Sequence, residues 1–163
     1  MRRFTLRSLL LLVASCAIAA TAAHYLIRPD PMMRITTHAE WDVAIKRRNC
    51  VLFVDGDWNI DIVAFRRPFA KFAWWCYADA TARAITMKID SDDTSNDVWS
   101  ICDTLWSSNE IHPGGLKNFG GAGRVVWLKN GNVVDYAWCM ELMQRNEVET
   151  IALLQKRTRK AFD

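Results

Sequence analysis

The sequence predicts an α/β fold, a mixed sheet with helices on both faces, preceded by an N-terminal hydrophobic helix. Three observations carry this. Apolar runs of strand length alternate with segments of helical spacing through the middle of the chain. The alternation ends in two short strands joined by an Asn-Gly turn. The chain also opens on a 20-residue uncharged run behind three arginines. Alternating strands and helices call for parallel pairing with crossover helices, and a terminal hairpin adds antiparallel strands to the same sheet.

Arg2, Arg3 and Arg7 precede the run Ser8–Ile27, and Arg28-Pro29 end it. Twenty residues at helical rise match the hydrocarbon core of a bilayer. Positive charge ahead of the run keeps the N-terminus in the cytoplasm, so the C-terminal domain is expected on the extracytoplasmic side of a single-pass span. Residues 1–28 therefore read as a signal-anchor, or as a signal peptide cut after Ala20-Thr21-Ala22, which would leave a secreted or periplasmic protein. Val13-Ala14-Ser15-Cys16 also resembles a lipoprotein box with Cys16 as the lipidated residue, although the apolar run continues past it. Residues 29–34 read as a linker and 35–163 as the folded domain.

Within the domain, Thr37-x-x-Glu40 is a capping box opening a short helix with Trp41, Ala44 and Ile45 on one face. Lys46, Arg47 and Arg48 suit the negative end of its dipole. Cys50-Val-Leu-Phe-Val-Asp55 is a continuous apolar run, as in a strand covered on both faces. After the loop Gly56–Asp61, Ile62, Phe65, Phe69, Phe72 and Cys76 recur at helical spacing; Pro68 is expected to kink that helix. Ile85, Met87 and Ile89 alternate in a second strand over Arg83–Asp90. Asp93 or Thr94 is expected to cap a helix with Val98, Ile101, Cys102 and Leu105 on one face. A glycine-rich connection, Ser107–Gly123, leads to the hairpin Val125–Leu128 and Val133–Trp138 around Lys129-Asn130-Gly131-Asn132. Asn146-x-x-Glu149 caps a last helix to about Lys160. A short first strand around Arg34–Thr36 is compatible with the pattern.

Charge narrows the function. Of 21 basic and 18 acidic residues, four and one lie in residues 1–30, which leaves 17 of each in the domain. A balanced domain lacks the basic face that nucleic acid requires. Cys16, Cys50, Cys76, Cys102 and Cys139 include no Cys-x-x-Cys pair, and His24, His38 and His112 are scattered, so no metal or cofactor is expected. Cys50, Cys76 and Cys102 fall on apolar runs and read as small buried hydrophobes. Asp55, Asp57 and Asp61 flank Trp58; they read as acids favoured near a helix N-terminus in preference to a cation or acid–base site. Most of the eight tryptophans should be core, with Trp127 expected to be exposed on its strand. The Gly114-Gly115 and Gly120-Gly121 pairs lack the context of a phosphate loop.

The ordered set of Val51–Asp55 leading to Asp57-Trp58, a proline-interrupted helix, Ile89-Asp90, and Val125–Gly131 resembles the thioredoxin family over roughly Ile35 to Lys160. The resemblance implies a three-layer thioredoxin-like sandwich. It also implies a groove for extended polypeptide, lined here by Trp58, Asn59, Ile60, Asp61, Gly123 and Arg124. Where the family has Cys-x-x-Cys this chain has Asn59-Ile60-Asp61-Ile62, and where the family has a cis-proline it has Gly123. Thiol–disulfide exchange needs a thiolate and a resolving thiol, which an amide and an alkyl group cannot replace. The expected function is thus a membrane-tethered or exported module that binds a protein or peptide without redox chemistry. The alternative is an oxidoreductase using a displaced cysteine, Cys50 or Cys139.

Overall fold

The computed structural model describes residues 13–17, 30–46, 49–89, 94–107 and 122–163. The chain divides into two units, Met1–Asp30 and Pro31–Asp163. In the first, residues 13–17 are helical. The rest of Ser8–Ile27 lies outside the described residues, with His24 and the Ala20-Thr21-Ala22 pattern. Among the described residues, no helix is long and apolar enough to cross a membrane. Arg47, Arg48, Asp90, Asp93, His112 and the two glycine pairs also lie outside them.

The second unit is organised on a five-stranded sheet of order β1-β3-β2-β4-β5. Strands β1 (Met32–Ile35) and β2 (Asn49–Asp55) both run parallel to β3 (Arg83–Lys88). Strand β4 (Arg124–Lys129) lies antiparallel to β2, and β5 (Asn132–Trp138) antiparallel to β4. The helices are α1 (His38–Ile45), α2 (Ile60–Asp79), α3 (Asn96–Ser107), the single turn α4 (Cys139–Leu142) and α5 (Glu147–Phe162).

Period-2 alternation in the central strands feeds two separate cores. Val51, Phe53, Val125 and Trp127 pack under α2 and α5 with Phe65, Phe69, Phe72 and Leu154. Leu52, Val54, Ile85, Met87 and Val126 pack on the opposite face under α1 and α3, with Trp41, Ala44, Val98 and Ile101. Helices on both faces make three layers, and they explain why β2 reads as an unbroken apolar run.

Local signals hold where they were strongest. Thr37 Oγ1 accepts from Glu40 N at 3.3 Å and Glu40 Oε2 accepts from Thr37 N at 3.1 Å, closing the capping box. Asn130 and Gly131 take φ of 53° and 79°, the left-handed pair that a type I′ hairpin turn requires. Asn146 Oδ1 accepts from Glu149 N at 2.9 Å, and the last helix runs past Lys160 to Phe162. Helix α2 continues through Pro68, which is buried.

Three expectations are corrected, and one further turn is present. Strand β1 begins inside the stretch read as linker; four residues show too little alternation to stand out, and pairing with β3 makes them a strand. Ser95 caps α3 instead of Thr94, its Oγ accepting from Val98 N at 3.3 Å. The turn α4 is shorter than any window in which helical periodicity registers in a sequence. Trp127 is fully buried, because β4 lies between β2 and β5 and both its faces are covered. The tryptophans exposed among the described residues are Trp58, Trp74 and Trp99.

Candidate functional site

The site is built where β2 gives way to α2. Strand β2 ends at Asp55, whose Oδ1 accepts from Gly56 N at 2.8 Å. A β carbon on Gly56 would lie 2.9 Å from Ala122 Cβ and 3.0 Å from the Trp58 ring. The missing side chain therefore lets the indole lie back on the backbone. Asn59 then caps α2, its Oδ1 accepting from Asp61 N at 2.8 Å. Trp58 remains 51% exposed and Ile60, the first residue of the helix, 83% exposed. Val63 is also exposed. Three exposed apolar side chains thus fall within six residues around the start of α2. Asn59 and Asp61 are half-buried between them.

The neighbouring carboxylates are tied into ion pairs. Both oxygens of Asp55 accept from Arg66 Nε at 2.9 Å. Asp57 pairs with Arg66 and, at 2.5 Å, with Lys88. Hydrogen bonds first from Lys88 and then from Arg66 hold the Asp57 carboxyl down to about 2. An acid so held remains an anion near neutral pH and is poorly matched to general acid–base work. Among the described residues, no group of His, Cys, Asp and Glu is arranged to hold a metal ion.

Gly123 and Arg124 do not form the open wall expected of them. Gly123 is buried at φ 82°, its N donating to Val54 O at 2.6 Å and its O accepting from Cys139 N at 2.7 Å. A β carbon there would meet Ile62 Cδ1 and Cγ1, each at 3.1 Å, so the isoleucine at the second cysteine position packs onto the glycine at the proline position. Arg124 is only 5% exposed, with its guanidinium 4.2 Å from the Trp138 ring centroid and 5.9 Å from that of Tyr136. Aromatic faces receive a cation that the groove was expected to display. Gly56, Ala122 and α4 belong to the site and were missed. Their parts depend on what lies across from them, and no local sequence pattern encodes that.

The thiols are withdrawn from this surface. Cys50, Cys76, Cys102 and Cys139 are all buried; Cys50 Sγ donates to Ala44 O at 3.1 Å. Cys139 Sγ would sit 3.5 Å from a β carbon on Gly123, directly behind the mouth, and burial pushes its thiol up to about 11. Burial, with Asp79 and Asp103 nearby, pushes Cys76 and Cys102 up to about 12. An unfolded thiol ionises near 9.0 while these hold their protons, so the folded state binds more protons above that pH. The stability they contribute is complete below 9.0 and falls as pH rises toward about 12. Under reducing conditions the urea midpoint of the wild type is expected to drop across this window more steeply than that of Cys76→Ala/Cys102→Ala. Parallel curves would contradict it.

Three parallel strands, an antiparallel hairpin beyond β2, and a long helix rising from the end of β2 with Gly123 opposite its first turn reproduce the arrangement implied by the resemblance. The fold is thioredoxin-like. Solved structures similar to this thioredoxin-like chain include thioredoxin O2 from Arabidopsis thaliana in its oxidized state, with 12% identity, a TM-score of 0.49, and coverage of 82% of this chain and 96% of that one. The oxidised thioredoxin from Plasmodium falciparum has 16% identity, a TM-score of 0.46, and coverage of 81% and 99%. Thioredoxin from Trypanosoma brucei brucei has 14% identity, a TM-score of 0.46, and coverage of 80% and 95%. No family model and no curated protein matches the sequence.

Proposed function

We propose that the chain is a membrane-tethered or exported thioredoxin-like domain whose degenerate site binds a protein or peptide without redox chemistry. The observation that carries this is the tip of α2, where Asn59 and Ile62 stand at the thiol positions while Trp58, Ile60 and Val63 are exposed together. Aromatic and aliphatic side chains on a rigid helix terminus are what a partner buries as an anchor. The oxidoreductase alternative requires an accessible thiolate from Cys50 or Cys139, and both thiols are buried.

Ser8–Ile27 supplies the tether, with the binding domain on the extracytoplasmic side; cleavage after Ala22 or lipid on Cys16 are the other fates of the same segment. The intact mass of the protein from native membranes separates the three. The binding reading is tested with a photo-crosslinking amino acid at position 60 and, as control, at the equally open Val148. A discrete polypeptide adduct from position 60 and none from 148, together with no reduction of insulin, is the expected result. Insulin reduction that is lost on Cys139→Ser or Cys50→Ser would replace the binding module with the enzyme.

A further inference from the structure

Strand β5 ends the sheet: it pairs with β4 on one side, and among the described residues no strand borders its other side. A sheet edge of this kind presents backbone N–H and C=O groups that can template pairing with another chain. In this edge, the groups of Tyr136 are already taken. Tyr136 N donates to Asp135 Oδ1 at 2.8 Å, and Tyr136 O accepts from Arg157 Nη2 at 2.7 Å. Arg157 reaches across from α5 and also grips the Asp135 carboxylate, through Nε to Oδ2 at 2.5 Å and through Nη2 to Oδ1 at 2.9 Å. One residue earlier the ladder is interrupted. Trp127 pairs with Asp135 and Leu128 with Val133, so Val134 is an inserted residue opposite no residue of β4. Bulges bend and twist the strand that carries them. Lys156 and Lys160 line the groove between this edge and α5, and lysine is a residue used to blunt such edges.

We propose that Asp135 and Arg157 form a lock that closes the free edge of β5, and that the partner it excludes is a second copy of this chain adding its own β5. The lock works because each member satisfies one backbone group of Tyr136 while the two side chains hold each other. The guanidinium is fixed further by its place 5.1 Å from the centroid of the Trp127 ring. An incoming strand would have to displace a charge-assisted, two-bond pair before it gained its first ladder bond. The bulge at Val134 interrupts the edge beside the lock, so the stretch around Tyr136 is the part that the lock has to close.

Two measurements test this on the full-length chain. In the wild type, the Tyr136 amide is expected to exchange with deuterium as slowly as amides inside β4; exchange as fast as that of the exposed turn residue Asn130 would overturn the lock. This arm needs no variant. In the second, Asp135→Ala/Arg157→Ala is compared with the wild type in the same mild detergent by light scattering after size exclusion, with circular dichroism confirming the fold. About a twofold rise in protein mass is expected, as for a two-fold symmetric edge pairing. Adding Val134→Lys, which sets a charge on the same edge, is expected to restore the wild-type mass. A folded double variant of unchanged mass, or an association that Val134→Lys does not reverse, would overturn the proposal.

Discussion

Trp127→Ala is expected to lower the unfolding free energy by about 3–5 kcal/mol, the range for removing a large buried aromatic from a core that relaxes only in part. The indole is fully buried under α5, and its Nε1 donates to Thr158 Oγ1 at 2.9 Å in a buried hydrogen bond. The Arg157 guanidinium lies over the same ring. Alanine would open a cavity, strand the Thr158 hydroxyl and remove the surface on which Arg157 rests. Trp127→Phe separates these effects. It keeps most of the ring volume and loses the donor, so its cost should fall to about 1–3 kcal/mol, the penalty for an unsatisfied buried polar group. Urea denaturation followed by circular dichroism reads both. A loss below about 1 kcal/mol for Trp127→Ala would mean that the site collapses around the missing ring, contrary to close packing in this core.

Trp58→Ala should weaken capture of the polypeptide crosslinked from position 60 by about 30-fold, corresponding to the roughly 2 kcal/mol that defines an anchor residue. The indole is half in contact with Gly56 and half open to a partner, which gives it large area at small entropic cost. Stability should change by less than about 1 kcal/mol, because no packed cavity is left behind. Titration of the purified partner against wild type and Trp58→Ala by calorimetry measures the affinity ratio. Equal affinities would move the binding surface away from the tip of α2. Arg124→Ala is expected to act differently. Its guanidinium is buried against Trp138, so the substitution should lower stability before it alters binding.

The parts of the molecule legible in the sequence are those whose physics is local. Thr37 and Glu40, or Asn146 and Glu149, are three residues apart and cap their helices through one another. Asn130-Gly131 turns because these two residues tolerate positive φ. The apolar run Val51–Val54 announces a central strand because each of its faces has a core to enter. The replacement of both thiol positions by Asn59 and Ile62 is likewise a property of the sequence alone, and so are the charge balance of the domain and the apolar run Ser8–Ile27.

The tertiary structure decided everything that depends on a neighbour across the sheet. Trp127 is buried because the last helix lies over its face of the sheet, bringing Thr158, 31 residues away, to its Nε1. Arg124, which the sequence places beside the groove, is enclosed by Trp138, its partner across the β4–β5 ladder. Gly56 shows its use only once Ala122 and the Trp58 ring are in place. The lock on β5 joins Asp135 to Arg157 over 22 residues. Caps and turns are set by contacts within one helical turn, which a sequence displays. Burial and edge closure are set by register and crossover, which bring distant residues together only in the folded chain.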